Sequence, residues 1–157
     1  MYVSDLLTAE RVVVRRGTSQ GQGMDKPTAV ALLARLLAAG ANVPAEIVDR
    51  VLTEREQLQS TGVGDGVAIP HGALTDLDAQ YAAVLVLPDG IDFDAIGGAK
   101  VNLLFAVIGP KRATGEHLKT LARISRLLRS GAFRQRLLDA PDGKAAYDLI
   151  VTEEGAK

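Results

Sequence analysis

The chain is 157 residues long, 47% hydrophobic and 24% charged, with 18 basic and 19 acidic side chains and a formal net charge of -1. That length suits one domain, expected over residues 1–157, burying roughly 70% of its unfolded surface. The balanced charge offers no global field for nucleic acid or for insertion at an anionic membrane. Cysteine is absent, which removes disulfides, thiolate metal sites and thiol nucleophiles together and fits a reducing cytoplasm.

Residues 1–8 read as a short helical or extended lead-in. Asp5 and Glu10 stand where a secretion signal would be basic and then apolar. Residues 1–25 are the least defined part of the domain. Val12, Val13 and Val14 form a candidate strand, and residues 15–23, with Gly17, Gly21 and Gly23, a flexible connection. Residues 26–39 carry Ala29, Leu32, Leu33, Leu36 and Leu37 at helical spacing, with Gly40 as the expected C-cap. A second helix is expected from Ala45 to Leu58, with Ile47, Val48, Val51, Leu52 and Leu58 on its apolar face. Arg55 lies near its C-terminal end, where it either forms a surface ion pair or reaches the loop that follows.

That loop is Ser60-Thr61-Gly62-Val63-Gly64-Asp65-Gly66. Three glycines in five residues permit a tight bend and close approach of bare backbone to a ligand. Val67-Ala68-Ile69 reads as a short strand stopped by Pro70, and His71 stands at its end. Beyond it, residues 82–87 form a strand, Pro88-Asp89-Gly90 a turn, and residues 91–96 a short extended piece. The nearly continuous apolar run over residues 101–108 has the length of a central strand covered on both faces, far too short to span a bilayer. Gly109-Pro110 ends it. Thr114 is the expected N-cap of a helix to Arg129, with Leu118, Leu121, Ala122, Ser125 and Leu128 as its core stripe. His117 falls in its first turn, either as an exposed polar residue or where a helix N-terminus favours an anion. Helical segments over residues 132–139 and 143–151 complete an α/β domain, with one mixed sheet flanked by helices as the expected architecture.

Two histidines without cysteine or an H-x-x-x-H pair make a zinc site a poor fit. Neither G-x-x-x-x-G-K-[ST] nor a strand–G-x-G-x-x-G–helix is present, so NTP and dinucleotide binding lack support. Aromatic content of 4% argues against a base-stacking surface. Ser60 and Thr61 are nucleophiles in principle, although turn residues of this type more commonly serve the backbone. There remain two histidines, an arginine and a glycine-rich loop. A neutral imidazole can attack phosphorus, and phosphoryl transfer needs positioning and charge stabilisation most of all.

The run Arg55-Glu56…Ser60-Thr61-Gly62-Val63-Gly64-Asp65-Gly66-Val67-Ala68-Ile69-Pro70-His71-Gly72 resembles the active-site segment of the mannitol/fructose-type enzyme IIA domains of the bacterial phosphotransferase system. Phe93-Asp94-Ala95-Ile96, Val101-Asn102-Leu103-Leu104-Phe105-Ala106 and His117-Leu118…Leu121-Ala122 follow in the family's order. The chain is most similar to its nitrogen-regulatory branch. The resemblance implies that His71 accepts a phosphoryl group on Nε2 from a histidine-phosphocarrier protein, beside His117 and Arg55. It assigns Ser60, Thr61, Gly62, Gly64 and Gly66 to a phosphoryl-binding loop. It implies no metal or other cofactor. The output would be regulatory, through a potassium transporter or sensor kinase, or else transfer to a IIB protein. Asp65 replaces an expected asparagine and would repel an incoming phosphoryl group if it pointed inward, leaving a non-catalytic binding module as a third reading.

Overall fold

A computed structural model describes residues 2–16, 24–58, 60–95 and 98–155. Two short 3-10 turns (Val3–Leu6 and Ala9–Arg11) lead into β1 (Val12–Val14), α1 (Lys26–Ala41) and α2 (Ala45–Leu58). There follow β2 (Gly62–Gly64), β3 (Val67–Ala68), β4 (His71–Leu74), β5 (Tyr81–Ile91) and β6 (Val101–Pro110). The chain then turns through α3 (Thr114–Leu127), α4 (Gly131–Asp139) and α5 (Gly143–Gly155). The strands form one mixed sheet in the order β1-β5-β6-β3-β2, with β4 also paired to β6. Helices cover both faces, the expected architecture.

Period-two alternation explains the layers. Leu104, Ala106 and Ile108 of β6 join Ala83, Leu85 and Leu87 of β5 under α1 and α2. Leu103, Phe105 and Val107 point the other way, with Val84 and Val86, into a core closed by Ile124, Leu127, Phe133, Leu137, Ala146 and Ile150. Burying each large apolar side chain contributes about 1.5–3 kcal/mol, so a strand buried on both faces needs no polar alternation.

β3 ends before Pro70, as expected, but the pairing with β6 resumes beyond it. Val67 pairs with Leu103 and Ala68 with Leu104, and the same offset resumes at His71 with Val107 and Gly72 with Ile108. Proline removes one donor, but its carbonyl still accepts from Val107 N at 3.0 Å. The backbone therefore delivers His71 in the parity of Val67 and Ile69, whose side chains join the core on the α3 side. The expected turn at Pro88-Asp89-Gly90 is instead a bulge within β5. Val86 pairs with Leu103 but Ile91 with Val101, and Gly90 takes φ 72°.

The helices bring further corrections. Gly40 lies inside α1, and Asn42 takes the left-handed cap at φ 58°. Gly40 is instead covered by Arg11, whose Nη1 would lie 2.6 Å from an added methyl. Thr114 is the first residue of α3, with Ala113 at the cap. The expected apolar stripes are rotated. α2 buries Val48, Leu52 and Glu56 and leaves Ile47 and Leu58 exposed. α3 buries Thr120, Ile124 and Leu127, and Leu118 is 60% exposed. The connection at residues 17–23 and Ile96 lie outside the described residues. Among the described residues no helix is long and apolar enough to cross a membrane.

Candidate functional site

The glycine run folds as a hairpin. β2 and β3 pair antiparallel, Gly64 opposite Val67, and Asp65 (φ 57°) with Gly66 (φ 78°) makes the two-residue turn. Positive φ at both positions is the type I′ geometry that matches strand twist and selects Asp-Gly. A methyl on Gly66 would meet Asn102 Oδ1 at 2.6 Å, and one on Gly62 would meet Ala95 Cβ at 2.7 Å. The glycines thus serve turning and close packing. Asp65 is exposed at the tip of this turn.

The loop's entry is fixed by Glu56, a buried carboxylate on α2. Its oxygens accept from Thr61 N at 3.1 and 2.9 Å and from the Thr61 hydroxyl. Lys26 lies 4.0 Å from Glu56, donates to Phe93 O at 3.1 Å and sits over the Phe93 ring. Ser60 Oγ donates to the same Phe93 carbonyl at 3.0 Å and accepts from Gly62 N at 3.1 Å. Glu56 stands in the motif run, but the motif gave it no role. Its five-residue separation from Thr61, across a helix end, was the available signal.

His71 follows on the same backbone. Its Nδ1 lies 2.7 Å from Ile69 O, a contact in which the ring must donate. The neutral ring then carries its proton on Nδ1 and its lone pair on Nε2. Burial lowers the His71 pKa; the Ile69 bond and Glu56 oppose that shift and Arg55 adds to it. The ring is therefore neutral near pH 7. Ile69 N itself donates to Thr61 O at 3.1 Å, so hairpin and histidine share one anchor.

His117 projects from the first turn of α3, its ring centroid 5.6 Å from that of His71 and tilted by 50°. Its pKa is also lowered, by burial first and by His71 second. Arg55, in the last turn of α2, is half-buried. A pocket of about 430 Å³ brings together Arg55, His71, Ser60, Thr61, Gly62 and, from α3, Leu121 and Ser125. Gly64, Gly66 and His117 are not in its lining; His117 meets the site through its ring beside His71. Leu121 and Ser125 were expected in the core; they are exposed or half-buried here because α3 turns that flank toward the pocket. No group of three or more His, Cys, Asp or Glu residues suited to a metal occurs among the described residues.

Residues 16–152 match the family described as "Phosphoenolpyruvate-dependent sugar phosphotransferase system, EIIA 2". The chain is 43% identical over 107 residues to a nitrogen regulatory protein of Pseudomonas aeruginosa, covering 68% of this chain and 70% of that one. It is 37% identical over 151 residues to a nitrogen regulatory protein of Bradyrhizobium diazoefficiens, covering 96% and 95%. The crystal structure of nitrogen regulatory protein IIA-Ntr from Neisseria meningitidis superposes with a TM-score of 0.83 at 26% identity, covering 94% of this chain and 98% of that one.

Proposed function

The chain belongs to the EIIA 2 family of the phosphoenolpyruvate-dependent sugar phosphotransferase system, and on that premise we propose that it carries its phosphoryl group on Nε2 of His71. The observation that carries this reading is the 2.7 Å contact between His71 Nδ1 and Ile69 O. It holds the ring in one tautomer and orientation, with the nucleophilic lone pair on the nitrogen away from the backbone.

The donor is a phosphohistidine on a small carrier protein. The Nε2 lone pair forms the new N–P bond as the donor's N–P bond breaks, and the electron pair returns to the donor imidazole. His71 keeps its Nδ1 proton, and the positive charge arising on its ring is stabilised by the Ile69 carbonyl. Arg55 and His117 balance the phosphoryl oxygens, while Ser60, Thr61 and Gly62 border the pocket. Val63 (62% exposed) and Leu118 (60% exposed) flank the site as apolar contacts for a protein partner. The donor is already activated, so transfer between histidines requires no metal or nucleotide.

The output is regulatory. The support is the kinship with nitrogen regulatory proteins over nearly the whole chain. The partners would be a potassium transporter or a sensor kinase in the cytoplasm, with phosphorylation as the signal. The binding-module reading rested on Asp65, which sits exposed on the hairpin turn and is not in the pocket lining.

The test is incubation with phosphoenolpyruvate, enzyme I and the carrier, then peptide mass spectrometry at neutral-to-basic pH. One phosphoryl group on the peptide containing His71, lost in His71→Ala, is the expected result. Label that persists in a folded His71→Ala protein would overturn it.

A further inference from the structure

His117 has a second nitrogen, and its surroundings identify another residue. Its Nδ1 is buried without a hydrogen-bond partner among the described residues, and so is Oε1 of Gln80. Gln80 is only 8% exposed. Both side chains lie against one glycine: a methyl on Gly109 would come 3.0 Å from His117 Nδ1 and 3.2 Å from Gln80 Cγ. Strand register explains the meeting. Tyr81 pairs with Ile108 in the antiparallel β5–β6 ladder, so one step further along sets Gln80 opposite Gly109. His117 comes over the same glycine from α3. Only a residue without a side chain leaves room for both.

Buried polar groups in native proteins are nearly always paired, directly or through one ordered water. An amide carbonyl accepts and an imidazole Nδ1–H donates, so these two orphaned atoms are complementary. We propose that Gln80 is the positioning residue of His117: its side-chain carbonyl accepts the Nδ1–H, directly or across one water, and turns Nε2 toward His71. When a phosphoryl group arrives, its negative charge favours uptake of a proton from solvent water on His117 Nε2, and that Nε2–H, kept on the ring, donates a hydrogen bond to a phosphoryl oxygen. Gln80 holds the opposite end of the resulting imidazolium. His71 is thus steered by a backbone carbonyl and His117 by a side-chain amide.

The functional half of this proposal rests on His71 being the phosphoryl acceptor; the placement of His117 does not. Long-range ¹H–¹⁵N correlation spectra of the ¹⁵N-histidine-labelled, unphosphorylated protein report each ring's tautomer. We expect His117 as the Nδ1–H form in the native protein. In Gln80→Met, which keeps the volume and removes the acceptor, the His117 signals move toward a mixture of tautomers while those of His71 stay. Gln80→Glu, which keeps an acceptor, retains the native tautomer. With phosphorylated carrier as donor, Gln80→Met lowers kcat about five- to tenfold at unchanged KM, and Gln80→Glu rescues it. A native His117 in the Nε2–H form overturns the proposal, and this spectrum decides even if Gln80→Met fails to fold. An unaltered His117 tautomer in folded Gln80→Met overturns it as well. If His71 is never phosphorylated but the tautomer shift occurs, the function assigned to His71 falls and the role of Gln80 in placing His117 stands.

Discussion

His71 and His117 face each other across 5.6 Å, both half-buried and both with pKa values lowered chiefly by burial. They are held by different means. The first is tied to a carbonyl two residues back on its own backbone, just beyond a hairpin anchored by Glu56 and Thr61. The second depends on how α3 docks and on what β5 and β6 bring beneath it. A nucleophile must keep one lone pair aimed in one direction, and a short-range backbone tether does that with little dependence on distant packing. A charge-stabilising group has to adapt as the phosphoryl group arrives and leaves, and a softer mounting suits it.

The contrast breaks most directly with His117→Ala. Transfer through His71 should slow about 100-fold, the usual loss when one stabiliser of transition-state charge is removed, while the His71 tautomer and the thermal midpoint barely move. Single-turnover kinetics with phosphorylated carrier read the rate, and an unchanged rate in a folded variant removes His117 from the mechanism. Glu56→Ala attacks the other side. It strands Thr61 N and the Thr61 hydroxyl in a buried setting, at a cost of about 3 kcal/mol for a charged acceptor. For a chain of this size that is about 6–12 °C in Tm; calorimetry showing a shift below 2 °C would mean that the hairpin is anchored otherwise.

The smallest effect sharpens the likeness of the two rings. NMR titration should place both histidine midpoints below the ordinary value of about 6.5. A folded-state pKa below the unfolded one means that the unfolded chain binds more protons as pH falls. The two rings therefore cost no stability above about pH 6.5 and progressively destabilise the fold as the pH drops from there through their folded midpoints. Phosphoryl acceptance follows the neutral fraction of His71, so between pH 8 and 6.5 it should fall by less than about twofold. A midpoint above 6.5 for either ring would contradict the burial that sets them.

Much of this architecture could be read along the chain, because the constraints involved are local. Nearly continuous apolar runs of strand length placed β5 and β6, and 3.6-residue periodicity placed the helices. Thirteen residues of motif, from Ser60 through Gly72, together with Arg55-Glu56 and His117, pointed to the family. Asp65-Gly66 is a hairpin turn for a reason carried by those two residues alone, their tolerance of positive φ. Other features failed because they depend on what arrives from elsewhere. Leu118, Leu121 and Ser125 have the spacing of a buried stripe, but α3 turns that flank to the pocket and the solvent. Spacing fixes which residues share a face and says nothing about where that face points. Gly40 looked like a helix end until Arg11 was found lying on it. Pro88-Asp89-Gly90 looked like a turn, but β6 continues to pair beyond it and makes it a bulge.

The sequence by itself determined the helices and the longer strands, the tight bend of the glycine run and the histidine that follows it. Each follows from φ preferences, apolar runs or periodicities acting over a few residues, while β2 and β4 had no such local signal. Only the tertiary structure decided that Glu56 holds Thr61, that β3 and β4 keep one register past Pro70, and that Gln80 and His117 meet over Gly109. Those are contacts between segments brought together by long-range packing, whose energies come from burial and pairing once the chain has closed, and no local pattern encodes them.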